Sequence, residues 1–253
     1  MTECDYAIEQ RISDRFEILD ALTEQCISGD SRSLIVSGAP GVGKSYEVER
    51  CLERHYPSGE GYKIIRGYTR ATGLVKLLYA YRHKNNVVVF DDSDSAFQEE
   101  IGINILKAVC DTTERRIVSW LSEGTLIDEE TGEKLPKSFE FEGLVIFLTN
   151  LDFATLVDRN HKLSPHLQAL MSRSHYLDLT MRSRQDYLVR IRQVIAQGML
   201  SNLTLDQKAD ILTFIECNTE ELRELSLRTC IKLGSLRQNF DNWEKIASVT
   251  MLK

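Results

Sequence analysis

Eight residues, "GAPGVGKS" at positions 38–45, constrain this chain more than any other stretch. They follow the apolar run "SLIVS" and lead into "SYEVERCLERHY", where Val48, Cys51 and Leu52 recur at helical spacing. A strand, a glycine-rich turn and a helix in that order aim backbone N–H groups and a helix N-terminus into one concave turn, which favours phosphate. Gly38, four residues, Gly43, Lys44 and Ser45 complete the phosphate-loop spacing. Gly38, Ala39, Pro40, Gly41, Val42, Gly43, Lys44, Ser45 and Tyr46 are therefore expected to surround a nucleotide. Lys44 reaches its β- and γ-phosphates, and the Ser45 hydroxyl ligates Mg²⁺.

The rest of the chain reads in two parts. Residues 1–30 carry Ile8, Ile12, Phe16, Leu19, Leu22 and Ile27 on one helical face. After the phosphate loop come a strand in "YKIIRG", a helix in "GLVKLLYAYRH", and "NNVVVFDDSDS", whose Val87–Phe90 run suits a strand buried on both faces. A helix over 98–110 leads to "RRIVSWL", which pairs as a hairpin with "SFEFEG". "LVIFLTN" and "HYLDL" supply further strands. Strands alternating with helices predict an α/β fold on a parallel sheet. Beyond residue 181 the pattern is helical only, in "SRQDYLVRIRQVIAQ", "TLDQKADILTFIECN" and "TEELRELSLRTCIKL", with Ser183 and Thr204 as N-caps. The expected division is an α/β domain over 1–180 and an all-α domain over 181–253.

Composition narrows the function. A net charge of −7 opposes general coating of nucleic acid, so any contact with DNA must be local. Six scattered cysteines show no metal-binding spacing and read as reduced thiols of a cytoplasmic protein. There is no run of 18 apolar residues, and the acidic start lacks an apolar core, so neither membrane insertion nor secretion is expected. Acids at the tip of a buried strand, downstream of a phosphate loop, hold Mg²⁺ and polarise water: Asp91 is the candidate for the metal and Asp92 for the water.

These motifs together resemble the AAA+ ATPase family, and the resemblance covers nearly the whole chain. "GAPGVGKS" and "VVVFDDSDS" are similar to its two Walker motifs, with Asp92 where a glutamate is usual. The resemblance implies a P-loop αβα sandwich followed by a small helical lid, with ATP and Mg²⁺ as cofactors. "VIFLTN" resembles sensor 1 and makes Asn150 a γ-phosphate contact. "LQALMSRSHYLDL" resembles the arginine-finger segment, with Ser172, Arg173 and Ser174 similar to the clamp-loader triplet. Arg173 would then serve a neighbouring subunit's nucleotide, which implies a homo-oligomer or related AAA+ subunits. "LSLRTCIKL" resembles sensor 2 through Arg228, with Arg237 in "GSLRQ" as a rival. The segment Arg15 to Leu19 would pass near the adenine.

The substrate stays open between classes. Arg66, Tyr68 and Arg70 combine base and aromatic ring as a DNA contact does, although Leu74, Leu77, Leu78 and Tyr81 mark the following helix as core-facing. The Ser-Arg-Ser triplet and the Asp-Asp pair point toward a DNA-replication ATPase of clamp-loader or helicase-loader kind. The compact form is similar to small bacteriophage AAA+ proteins, which would place it in the cytoplasm of an infected bacterial cell. The alternatives are a protein remodeller gripping with Tyr68, or a switch that assembles on ATP and hydrolyses it slowly when stimulated.

Overall fold

β3 (Val87–Asp91) and β6 (Leu144–Thr149) are apolar up to their last residue, and every residue of both is buried. Such strands need cover on two faces, and a parallel sheet between helices provides it. In the computed structural model, which describes residues 4–97, 99–121, 124–128, 132–159 and 162–253, they lie at the centre of a five-stranded parallel sheet. β1 (Ser33–Ser37) is also fully buried, whereas β2 (Tyr62–Arg66) and β7 (His175–Asp178) form the half-exposed edges. The strand order is β2-β3-β6-β1-β7. Register levels the carboxyl ends: Arg66 pairs with Asp91, Asp91 with Leu148, Ser37 with Thr149 and with Asp178.

Helices make the crossovers. α1 (Asp5–Ile27) precedes β1, and α2 (Lys44–His55) and α3 (Ala71–Ala80) connect β1 to β2 and β2 to β3. A 3-10 turn (Asp94–Phe97) and α4 (Glu100–Val109) lead to the antiparallel hairpin of β4 (Ile117–Ser119) and β5 (Ser138–Glu140). α5 (Phe153–Asp158) and α6 (Ser164–Met171) fill the β6–β7 connection. Phe147 is the hub of the main core, stacked 5.3 Å from Phe90 and tilted 5.3 Å from Phe97, which meets Phe153 edge-on at 5.2 Å.

Contacts divide the chain into two compact units. The larger holds Glu17–Gly38 and Lys44–Leu179; the smaller holds residues 4–16, Ala39–Gly43 and Thr180–Lys253. In the smaller unit α7 (Arg184–Ala196), α8 (Leu205–Cys217), α9 (Leu227–Asn239) and α10 (Trp243–Met251) enclose Ile191, Ile211, Ile215, Leu233 and Trp243. Ser183 caps α7 by accepting from the Asp186 N–H, and Thr204 forms a capping box with Gln207 on α8. Two expectations change. The helix expected from Thr219 begins only at Leu227, because Ser226 caps it by accepting from the Thr229 N–H and Leu222 instead bridges to Leu252. α10, which the sequence did not announce, is anchored by Trp243 and Ala247 one turn apart.

Phe147→Ala should cost about 3–5 kcal/mol by emptying the hub of the aromatic stack. Thr204→Ala should cost about 1 kcal/mol by uncapping α8. Urea denaturation midpoints at unchanged slope provide the measurement.

Candidate functional site

The first crossover carries the chain from β1 past β6 and β3 to the β2 edge, and the later ones return through β3 and β6 and pass β1 to reach β7. The connections leaving the neighbouring strands β1 and β6 thus run in opposite directions, and in parallel α/β sheets ligands sit outside the carboxyl ends at such a point. Within the larger unit the polar residues collect there. Lys44, at the first turn of α2, is only 5% exposed, and its Nζ donates to the Gly38 carbonyl at 2.6 Å and to Asn150 Oδ1 at 3.0 Å. Asn150 follows β6 and is exposed; its Nδ2 donates to Asp92 Oδ1 at 2.7 Å. One amide therefore joins the lysine to the acid, and its orientation follows from chemistry: oxygen to ammonium, nitrogen to carboxylate.

The two acids differ. Asp91 is buried, accepting from Ser45 Oγ at 2.8 Å on one oxygen and from Arg66 Nε at 2.9 Å on the other. Asp92 is exposed and sits at φ +51°, a left-handed backbone that non-glycine residues adopt seldom and often at functional sites. Its N–H donates to the Leu148 carbonyl at 3.0 Å, so it stays tied to β6. Behind it, Thr149 donates to Asp94 at 2.5 Å. Burial raises the Asp94 carboxyl above its usual range; the Thr149 hydrogen bond opposes this, and the charge of Asp92 adds to it.

The smaller unit holds the other half of the loop. Gly41 and Gly43 have φ of +73° and +107°. A methyl group on Gly41 would fall 2.8 Å from Ser226 Cβ, and one on Gly43 would fall 3.4 Å from the Arg190 guanidinium. Leu227 N–H donates to the Gly41 carbonyl at 2.9 Å, which docks the start of α9 on the loop. Val42 is buried. Arg190 is 4% exposed, lies 3.5 Å over the Phe16 ring and donates to the Val42 carbonyl at 3.4 Å. Sequence reasoning passed over this arginine. Its signal was an arginine inside the apolar stripe of α7, between Tyr187 and Val194.

The remaining expected residues fall as follows. Arg228 is exposed in the first turn of α9, with its side chain 3.6 Å from a methyl placed on Gly41. Arg237, two turns further, pairs with Asp210 at 2.9 Å. Arg173 is half-buried after α6 and donates to the Ala169 carbonyl at 2.7 Å. Tyr46 is exposed, and Ala39 and Pro40 belong with Gly41 in the smaller unit. Of the residues expected to touch DNA, Arg66 is engaged by Asp91 and by Glu49 at 3.0 Å, and the Tyr68 hydroxyl donates to Glu99 at 3.0 Å. Arg70 is exposed at the start of α3. Among the described residues no helix is long and apolar enough to cross a membrane.

A carboxylate and a hydroxyl 2.8 Å apart offer the hard oxygen donors that magnesium takes. The buried ammonium of Lys44 suits phosphate oxygens. Within the larger unit these side chains therefore fit a magnesium ion and a phosphate group.

No protein-family model matches the chain. It is 37% identical, over 246 residues, to an uncharacterized 36.7 kDa protein of the nrdC-mobD intergenic region in Enterobacteria phage T4, covering 95% of this chain and 74% of that protein. Among solved structures it is similar to C. elegans PCH-2, with a TM-score of 0.38 and 14% identity over 92% of this chain. It spans 63% of the PCH-2 chain.

Gly41→Ala should destabilise the protein by about 2–3 kcal/mol, since it combines a left-handed alanine with a clash against Ser226. Gly29→Ala, with φ +87° but nothing within 4 Å of the added methyl, should cost about 1 kcal/mol. Equal losses in urea denaturation would show that Gly41 makes no such contact.

Proposed function

The chain belongs to the family of that uncharacterized phage T4 protein, and we propose that it is a P-loop ATPase of AAA+ type, with an α/β ATPase domain over 1–180 and a helical lid over 181–253. The observation that carries this is the Asn150 amide, which contacts Lys44 and Asp92 together at the carboxyl ends of β1 and β6, whose outgoing connections run in opposite directions. A phosphate-loop lysine close to an acid able to position water is part of the set that ATP hydrolysis uses.

In this reading Gly38–Tyr46 hold the triphosphate, with Lys44 on its β- and γ-phosphates, and Ser45 and Asp91 hold magnesium. A bound magnesium ion would neutralise charge on the phosphate oxygens. Asp92 orients the attacking water and accepts its proton, and Asn150 fixes Asp92 and contacts the γ-phosphate. Arg228 rather than Arg237 is the lid arginine for the nucleotide, because Arg228 lies beside Gly41 while Arg237 is held by Asp210. Arg190 is added to the set as the buried guanidinium against Val42 and Gly43. Arg173 would complete a neighbouring subunit's site, and its hydrogen bond to Ala169 would be exchanged on assembly.

The task served is proposed to be loading or remodelling in DNA replication within an infected cell. The DNA contact then rests more on Arg70 and Tyr68 than on Arg66, whose guanidinium is held by two carboxylates. An assembly switch with slow hydrolysis is the second reading, favoured by Asp92, one methylene shorter than a glutamate and exposed.

Lys44→Ala should abolish binding of a fluorescent ATP analogue. Asp92→Asn should keep binding but lower turnover by about 10²–10⁴-fold. Arg173→Ala should lower turnover by about 10³-fold or more. Mixing Arg173→Ala with Lys44→Ala chains should restore part of it. Full turnover by Arg173→Ala alone would overturn the trans arginine, and tight ATP binding by Lys44→Ala would overturn the nucleotide site. Turnover unaffected by single-stranded, duplex or primed DNA would overturn the DNA assignment.

A further inference from the structure

The far end of α2 carries a second group of side chains, outside the phosphate loop. Glu24 of α1 and Cys51 and His55 of α2 each bring one ligand atom within 4.8 Å of the others. Cys51 and His55 are four residues apart, so they share one helix face, and that face meets Glu24. The present contacts are made by protons. Cys51 Sγ donates to Glu24 Oε1 at 3.3 Å, and His55 Nε2 meets Glu24 Oε2. Arg54 stands at the rim, donating to Glu24 Oε1 at 3.0 Å and to Asp20 Oδ1 at 2.8 Å.

We propose that Glu24, Cys51 and His55 form a binding site for a thiophilic divalent cation of the zinc class, three protein ligands leaving a fourth position for water. One sulfur, one imidazole nitrogen and one carboxylate oxygen make a donor set that zinc accepts, whereas magnesium and calcium prefer oxygen alone. Cys51 is fully buried, while His55 and Glu24 are 41% and 37% exposed, so the sulfur lies inside and the other two ligands open to solvent. On binding, the S–H bond of Cys51 breaks and its proton passes to solvent, the proton on His55 Nε2 leaves that nitrogen for solvent or, by tautomer exchange, for Nδ1, and sulfur–metal and nitrogen–metal bonds form; no atom is oxidised or reduced. Thiolate and carboxylate then balance the two positive charges. Arg54 is the competitor, because its guanidinium already occupies the Glu24 oxygen that Cys51 shares.

The site lies eleven residues along α2 from Lys44, roughly 16 Å at helical rise. A bound ion would cross-link the far end of that helix to α1. It does not depend on the nucleotide assignment, and its test does not use ATP.

The probe is cobalt(II), titrated into the full chain carrying Cys4→Ser and Cys217→Ser, which removes the two exposed cysteines. One equivalent should produce a sulfur-to-cobalt charge-transfer band that zinc abolishes and excess magnesium leaves unchanged. Cys51→Ser should eliminate the band. His55→Ala, a surface change, should weaken cobalt binding by about 10-fold or more, since even outer-shell losses cost that much. Arg54→Ala should tighten it. No charge-transfer band in the folded protein, a band that survives Cys51→Ser, or unchanged affinity in His55→Ala would each overturn the proposal. Circular dichroism of each variant confirms the fold, and the His55 and Arg54 variants decide the matter if Cys51→Ser fails to fold.

Discussion

A buried ammonium is costly unless its protons are taken up, and Lys44 is such a group. The Gly38 carbonyl and the Asn150 amide accept from it, one from each of two neighbouring strands. Both acceptors are available only because β1 and β6 run parallel, in a register that brings Ser37 level with Thr149. The burial of β1, β3 and β6 on both faces therefore has a direct chemical result. Strands forced to lie parallel by their helical crossovers must end on the same side, and their terminal polar residues then pair with one another and with the start of α2, as Asp91 does with Arg66 and Ser45.

The same constraint explains how the acids differ. Asp91 is the last residue of β3 and has one partner on each oxygen, Ser45 and Arg66. Asp92 is the first residue past the strand, turned into a left-handed conformation that releases its carboxylate to solvent and to Asn150. One step along the chain separates a held carboxylate from an available one. Arg66, on the edge strand, pairs with Asp91 because register puts the two residues opposite each other.

In the smaller unit the helices join the loop through its backbone carbonyls, one bonded by a backbone N–H and one by a side chain. Gly41 accepts from Leu227, and Val42 accepts from Arg190. Gly41 leaves no room for a side chain, which would meet Ser226, and Gly43 is held to glycine by its φ of +107°. Gly41 thus leaves room for the N-cap of α9.

Much of this was legible in order and spacing. The glycine-rich loop, the apolar strands that end in Asp91 and in Thr149 just before Asn150, the hairpin, and the caps at Ser183 and Thr204 are local patterns, set by periodicity and by hydrogen bonds that span three or four residues. α10 and the late start of α9 were not legible, because they depend on Leu222 meeting Leu252 and on Trp243 finding a core formed by other helices. Arg190 was hidden for the same reason: its partners Phe16 and Val42 lie 174 and 148 residues away in sequence. The sequence by itself determined which segments are strands or helices and which residue types stand at their ends. Only the tertiary structure decided which of those ends meet, since a hydrogen bond such as Asn150 to Lys44, across 106 residues, exists only once strand order and register have been chosen by packing.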